Sequence, residues 1–400
     1  MTTNVSVLIN GQTYCREFTD AREVMLELQP TEPLYLFSRD RLLCRALAFQ
    51  QGFAGTLGYA VKANSEPRVI RGLASQGIRD FDVASLGEVA AIACLCPAAT
   101  LHFNNPVKAV EAIGAAYFDY GVRSFALDEM TELDKIRKAT GNATDIMCSV
   151  RFKLGHEGAS YDFGSKFGAT PDKAAALLRK VAAFGARPAL TFHPGSQCTK
   201  PQMYARYLEA AAAIIRASGV EVDLINVGGG FPEHYENAGV PALDCYFDAI
   251  DEAVLRYFKR PPPLMCEPGR AMVAASVSLL ARVIHVREDQ RILFVNDGVY
   301  GGMLEQSVVD LSLPVALWRS GMQPLGVAEA YAIFGPTCDP VDRLARQVEI
   351  PCQVEEGDYI EFGLMGAYAS ATATGFNGFR STAYCNVARG FSACPMACAD

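Results

Sequence analysis

Between residues 56 and 266, short apolar runs alternate with longer stretches of helical periodicity. The short runs are Thr56–Val61, Arg79–Val83, Thr100–Phe103, Ser124–Leu127, Ile146–Phe152, Pro188–Phe192, Val222–Val227 and Pro263–Cys266. Each ends at a polar residue or a glycine, as strands feeding loops do. Helical patterns separate them: Glu66–Gln76, Leu86–Cys94, Val107–Tyr117, Glu129–Ala139, Pro171–Phe184, Pro201–Ala217 and Asp244–Phe258. Eight strand–helix alternations predict a (β/α)8 TIM barrel over residues 35–275, close to the ~250 residues usual for that fold. The flanks read differently. Val5–Phe18 alternates about Asn10-Gly11, a hairpin signal. After Ser276 come Val277–Val286, Ile292–Asn296, Ala330–Phe334, Tyr359–Phe362 and Ala383–Val387, punctuated by Gly and Pro. Residues 1–34 and 276–400 therefore predict a second, all-β domain, sandwich-like or barrel-like, built from both chain ends.

Composition narrows the class. Half of the 400 residues are apolar and a fifth are charged, enough apolar surface to offset ordering entropy. A net charge of −8 argues against nucleic acid as the main partner. No run of uncharged apolar residues is long enough for a membrane helix, and the N-terminus lacks a secretory pattern. The thirteen cysteines are scattered and odd in number, which predicts reduced thiols in a cytoplasmic protein. Neither Cys94-Leu95-Cys96 nor Cys394…Cys398 has the ligand spacing of a zinc site, so no metal is expected.

In a barrel of this kind the chemistry lies where strands end. The first strand ends at Lys62, which on its own could simply snorkel to solvent, or, partly desolvated by the apolar run before it, could be a Schiff-base candidate. The second carries Asp82, followed by Ser85 and Glu88. The fifth ends at Arg151 and the sixth at His193, before Pro194-Gly195-Ser196. Gly228-Gly229-Gly230 follows the seventh strand, where backbone N–H groups can approach phosphate oxygens. Glu267-Pro268-Gly269-Arg270 follows the eighth. Arg270 offers a fixed charge for the same phosphate. Glu267 suits either an ion pair with Arg270 or a partner for a pyridine nitrogen, which makes an electron sink. Taken alone, His193 reads as a core histidine, Cys338 as a small buried thiol, and Asp339 before Pro340 as a helix N-cap.

Tyr59-Ala60-Val61-Lys62-Ala63-Asn64, Phe192-His193-Pro194-Gly195-Ser196, Gly228-Gly229-Gly230-Phe231-Pro232 and Glu267-Pro268-Gly269-Arg270 resemble the pyridoxal-phosphate-dependent group IV decarboxylases, which share the alanine-racemase-like fold. Asn296-Asp297-Gly298-Val299-Tyr300, Gly335-Pro336-Thr337-Cys338-Asp339, Gly366-Ala367-Tyr368 and Phe376-Asn377-Gly378-Phe379 are most similar to the ornithine decarboxylases. The resemblance implies pyridoxal 5'-phosphate as cofactor, Lys62 as its covalent partner, His193 stacked on the ring and Glu267 at the ring nitrogen. It implies a cofactor site that includes Asp82, Arg151, Gly229 and Gly269. Ser196, Gly230, Arg270 and Tyr368 would hold the phosphate. Cys338 would reprotonate the α-carbon and Asp339 would bind the substrate's distal amine. Both would reach the neighbouring subunit's site, so the active sites would exist only in a homodimer. Tyr300 and Phe379 would border a basic amino acid substrate, most simply L-ornithine decarboxylated to putrescine. The Tyr-Asp-His element of many such enzymes has only Val309-Asp310-Leu311 as counterpart, which leaves a second carboxylate open between Asp310 and Glu305. Pro340 stands where a small residue is expected, so lysine stays open as substrate. A diaminopimelate decarboxylase would be expected to carry Cys-Glu-Ser at Cys338-Asp339-Pro340. An inactive regulatory homologue would not need Lys62, Glu267, Arg270 and Cys338 together.

Overall fold

A computed structural model describes residues 7–9, 12–14, 16–154, 166–236, 239–309 and 311–391. The Asn10-Gly11 turn and Asp310 lie outside the described residues. The chain divides into two compact units, one of residues 46–233 with 239–271, the other of 1–45 with 234–238 and 272–400.

The first unit is a closed barrel of eight strands. They are β1 (Thr56–Ala60), β2 (Asp80–Val83), β3 (Thr100–Phe103), β4 (Ser124–Leu127), β5 (Met147–Arg151), β6 (Arg187–Thr191), β7 (Leu224–Asn226) and β8 (Leu264–Cys266). Neighbours pair in parallel all the way round, and β8 closes on β1 through Met265 opposite Thr56. A helix follows most strands because the sequence supplies both the cap and the apolar stripe. After β2, the Ser85 hydroxyl accepts from Glu88 N at 3.2 Å, and Glu88 in turn accepts from Ala84 N at 2.6 Å. Those contacts start helix Leu86–Leu95, so Ser85 and Glu88 work locally as helix-start residues. Helix Pro171–Phe184 has proline in its first turn and stops at Gly185, whose φ of 88° suits glycine. It buries Ala174, Leu177, Leu178 and Val181, the i, i+3, i+4, i+7 stripe that drives helix onto sheet.

The second unit holds a nine-stranded sheet and a separate antiparallel pair, Val7–Ile9 with Gln12–Tyr14. Its spine, Val277–Arg287, pairs antiparallel with Leu34–Phe37, Ile292–Val295 and Tyr359–Phe362. Residues 35–37, which the sequence reading put at the start of the barrel range, are thus a strand of this sheet. Ala383–Val387 adds in parallel to Leu34–Phe37, with Tyr384 stacked on Tyr35 at 4.8 Å. The unit is mostly rather than purely β. Helix Ala21–Leu28, capped by Asp20, sends Val24, Met25 and Leu28 into a core with Phe18, Leu36, Leu280 and Val387. Cys44 is disulfide-bonded, which corrects the expectation that every thiol is reduced. The other described cysteines are not disulfide-bonded. Among the described residues no helix is long and apolar enough to cross a membrane.

Candidate active site

The barrel gathers most of the predicted residues at the C-terminal ends of its strands. Alternate strand residues share a face. The pairing of Ala60 with Asp82, and of Asp82 with His102, therefore brings residues from several strands onto one interior wall. Glu267, just past β8, is buried and accepts at Oε1 from the side-chain amides of Asn226, at 2.6 Å, and Asn104. Burial and then the neighbouring Asp82 push its carboxyl up to about 8. Asp82 is likewise raised by burial, opposed by Lys62, His102 and Arg151. Arg151 is lowered by burial and pulled back by Asp82, Asp128 and Glu267. This cluster of opposed charges is what a group poised for proton exchange requires.

Lys62 sits on the short turn Val61–Ala63 beyond β1. Its side chain is exposed, which corrects the expectation of a desolvated amine: the residue lies past the strand, outside the packed interior. Its charge nevertheless acts on Asp82, Glu267 and His193. The imidazole of His193 is pushed well below its usual range by burial, then by Lys62 and Arg151. Its Nδ1 accepts from Gly195 N at 3.0 Å, so the neutral ring carries its proton on Nε2.

The glycine run after β7 is held from several sides. Asn226 Oδ1 accepts from Gly228 N at 2.8 Å, Tyr204 donates to Gly229 O at 2.8 Å, and Cys198 N donates to Gly230 O at 2.9 Å. Gly230 has φ +92°, and a Cβ there would lie 2.4 Å from Gly195 O. Only glycine fits that approach. Ser196 precedes Gln197, which adopts a left-handed φ of 53° and exchanges two hydrogen bonds with the Glu233 backbone. Gly269 and Arg270 are buried after β8. Asn104 and Asn226 were missed in the sequence, where Asn104-Asn105-Pro106 looks like a turn. The available signal was their place at strand ends whose alternate residues face inward.

The second unit carries another group. The Tyr300 hydroxyl donates to Asp339 Oδ2 at 2.5 Å, which holds that carboxyl below its usual range, helped by the Val341 N–H. Asp339 closes a single turn, with Val341 N donating to Oδ1 at 3.0 Å, so the expected helix N-cap is corrected to an isolated turn. Cys338 is exposed rather than buried, and its N–H and thiol both donate to Asn377 Oδ1, at 3.1 and 3.2 Å. Phe376 packs on Tyr300 at 4.6 Å, and Phe379 is exposed. Asp342, also missed, is buried and accepts from Val299 N, Thr337 N and the Thr337 hydroxyl. It thereby ties the segment bearing Cys338 and Asp339 to the one bearing Tyr300. Tyr368 has φ +56°, rare for a bulky side chain. Glu305 opens the short helix Glu305–Val308.

A barrel with a backbone cradle after β7, an arginine after β8, a lysine after β1 and a proton-holding carboxyl on its wall fits a phosphate-bearing pyridine aldehyde. That combination defines the class: a barrel enzyme that uses vitamin B6. Residues 39–274, more than half of the chain, match the family model for the pyridoxal-dependent decarboxylase, pyridoxal binding domain, and the chain belongs to this family. The lysine/ornithine decarboxylase of Selenomonas ruminantium is 31% identical over 89% of this chain and 87% of its own. Mouse ornithine decarboxylase is 30% identical over 80% of this chain and 73% of its own. The crystal structure of the Vibrio vulnificus lysine/ornithine decarboxylase complexed with putrescine superposes with a TM-score of 0.79 at 27% identity, covering 92% and 99% of the two chains. The protein is a carboxy-lyase of the ornithine decarboxylase-like group, and its cofactor is pyridoxal phosphate.

The glycine cradle yields a direct expectation. Gly230→Ala forces a side chain into left-handed backbone, at a cost of ~1–2 kcal/mol, and against Gly195 O. Equilibrium dialysis should show pyridoxal phosphate affinity reduced at least about tenfold, with melting lowered by about 3 °C or more. Unchanged affinity would remove the loop from the cofactor site.

Proposed function

We propose that the protein decarboxylates L-ornithine to putrescine in a homodimer whose active sites draw residues from both subunits. The observation that carries the substrate reading is the Tyr300–Asp339 pair beside Cys338. Asp339 is a carboxylate held ionised and aimed by a phenol, suited to a distal ammonium group. Its partial exposure in one chain, together with the exposure of Cys338, supports a role toward a neighbouring subunit. The amine complex of the Vibrio relative supports the same class of product.

The bound cofactor supplies an electron sink for the α-carbon once carboxylate is lost. Lys62 would hold the cofactor through its side-chain amine. Neutral His193 would pack against the ring. Glu267 would share a proton with the ring nitrogen, which its raised basicity suits. Ser196, Gly229, Gly230, Gly269 and Arg270 would bind phosphate oxygens, with Tyr368 adding a hydroxyl. Asp82 and Arg151 set the charge of the wall beneath. Cys338 returns a proton to the α-carbon, and Tyr300 orients Asp339. Phe379 borders the substrate's side chain. A second carboxylate for the distal amine stays with Glu305 or Asp310.

Lysine is the second reading, favoured by Pro340 beside Asp339 and by the dual-named relatives. Release of CO2 from ornithine, lysine, arginine and diaminopimelate by the loaded enzyme separates these. Ornithine is expected to give the highest kcat/KM, with lysine next. Release from diaminopimelate alone would overturn the assignment, and release from none would restore the inactive-homologue reading.

A further inference from the structure

Strand β3 places His102 and Asn104 on one interior face, two residues apart. His102 is held at both ring nitrogens, by Ser124 Oγ at 3.1 Å and by Asp80 Oδ1 at 2.9 Å. Asn104 N donates to Val83 O at 3.1 Å, which continues the β2–β3 ladder past the last paired residue. The Asn104 side chain is therefore fixed by its strand rather than left to a loop. Its amide nitrogen donates to Glu267 Oε1, and its nearness helps to lower the carboxyl of the neighbouring Asp82. Asn226 donates to the same Oε1 at 2.6 Å. An oxygen that accepts from two amides is a poor site for a proton, which leaves Oε2 as the exchanging atom.

We infer that Asn104 is a positioning residue for the reaction: with Asn226, it confines the exchangeable proton of Glu267 to Oε2. The inference rests on Glu267 serving the ring nitrogen. The charged and titratable side chains around the two acids are Lys62, Glu88, His102, Arg151, His193 and Cys266. None of them replaces an uncharged donor at Glu267 Oε1, where a cation would lower the carboxyl's basicity far more than an amide does.

The test is a pH titration of the cofactor's absorbance in the loaded enzyme. It compares the native protein with Asn104→Leu, Asn104→Asp and Glu267→Gln, with pyridoxal phosphate affinity measured in parallel. Asn104→Leu keeps the volume and loses the donors. Its transition midpoint should move up by about one unit, a tenfold gain in proton affinity, and cofactor affinity should fall about tenfold. Asn104→Asp, with a third carboxyl in the cluster, should move it further. If the leucine variant fails to fold, Asn104→Ala should shift the midpoint in the same direction. An unchanged midpoint in a folded leucine or alanine variant, or a lowered melting temperature alone, makes Asn104 a packing residue and overturns the inference. A transition that survives in Glu267→Gln overturns the Glu267 reading itself, a failure distinguishable from the first.

Discussion

Replacing Lys62 with alanine is expected to abolish the visible band of the covalently held cofactor and to cut turnover at least about a thousandfold. The expectation is sharp because the substitution is structurally mild. Lys62 lies on the turn Val61–Ala63, its side chain exposed, while the adjoining Val61 and Ala63 carry the packing. Truncation therefore opens no cavity, and melting of the protein without cofactor should move by less than about 1 kcal/mol equivalent, as for ordinary surface changes. Loss of function with retained stability separates a chemical role from a folding role. Its charge should also be felt on the wall. Lys62 pulls Asp82 and Glu267 down, so removing it should raise both carboxyls further. A variant that kept both the band and full turnover would place the covalent partner elsewhere.

The barrel was legible in the sequence because strand and helix periodicities differ and alternate. Thr100–Phe103 and Ser124–Leu127 match the observed strands residue for residue, and so does helix Pro171–Phe184. Helix Arg39–Gly52 was missed. Its polar residues fall on several sides, with Arg39, Asp40, Arg41 and Arg45 in its first half, so no apolar stripe announces it. Leu34–Phe37 is four buried residues without alternation, which cannot be told from any other apolar run by period alone. Val315–Trp318 and Val348–Ile350 were missed as well, being only four and three residues long.

The site divided along a similar line. Residues whose chemistry is unusual for their position, such as a lysine or a glutamate at a strand end, drew attention. Residues whose role is to hold others did not. Asn104 and Asp342 look like turn formers in sequence, Asn226 falls inside a strand run, and their partners are 163, 43 and 41 residues away. No local pattern encodes such a distance. The polar side chains Asp80, His102 and Ser124 start or alternate along their strands. That alternation was the available sign of a barrel interior lined with hydrogen-bonding groups rather than packed only with aliphatic ones.

Truncating Asp339 to alanine should lower kcat/KM for ornithine by about 10²–10³-fold, while a substrate of the same length without the distal amine, such as norvaline, should lose little. The magnitude follows from breaking a charge pair once the site is closed, about 3–5 kcal/mol when the pair is buried and less when water enters. The carboxylate is prepared for this role. Tyr300 and the Val341 N–H hold it below its usual range, so it stays ionised throughout the neutral and alkaline range, and pH changes there should not mimic the substitution. Asp339→Asn keeps the turn contact to Val341 N but loses the charge, so it should reproduce most of the loss and exclude a merely structural effect. Tyr300→Phe frees Asp339 to rotate and should weaken ornithine binding by about 1 kcal/mol, the usual worth of one hydrogen bond, without altering norvaline. Equal losses for ornithine and norvaline in Asp339→Ala would instead mean that the residue supports the segment carrying Cys338 and does not read the substrate.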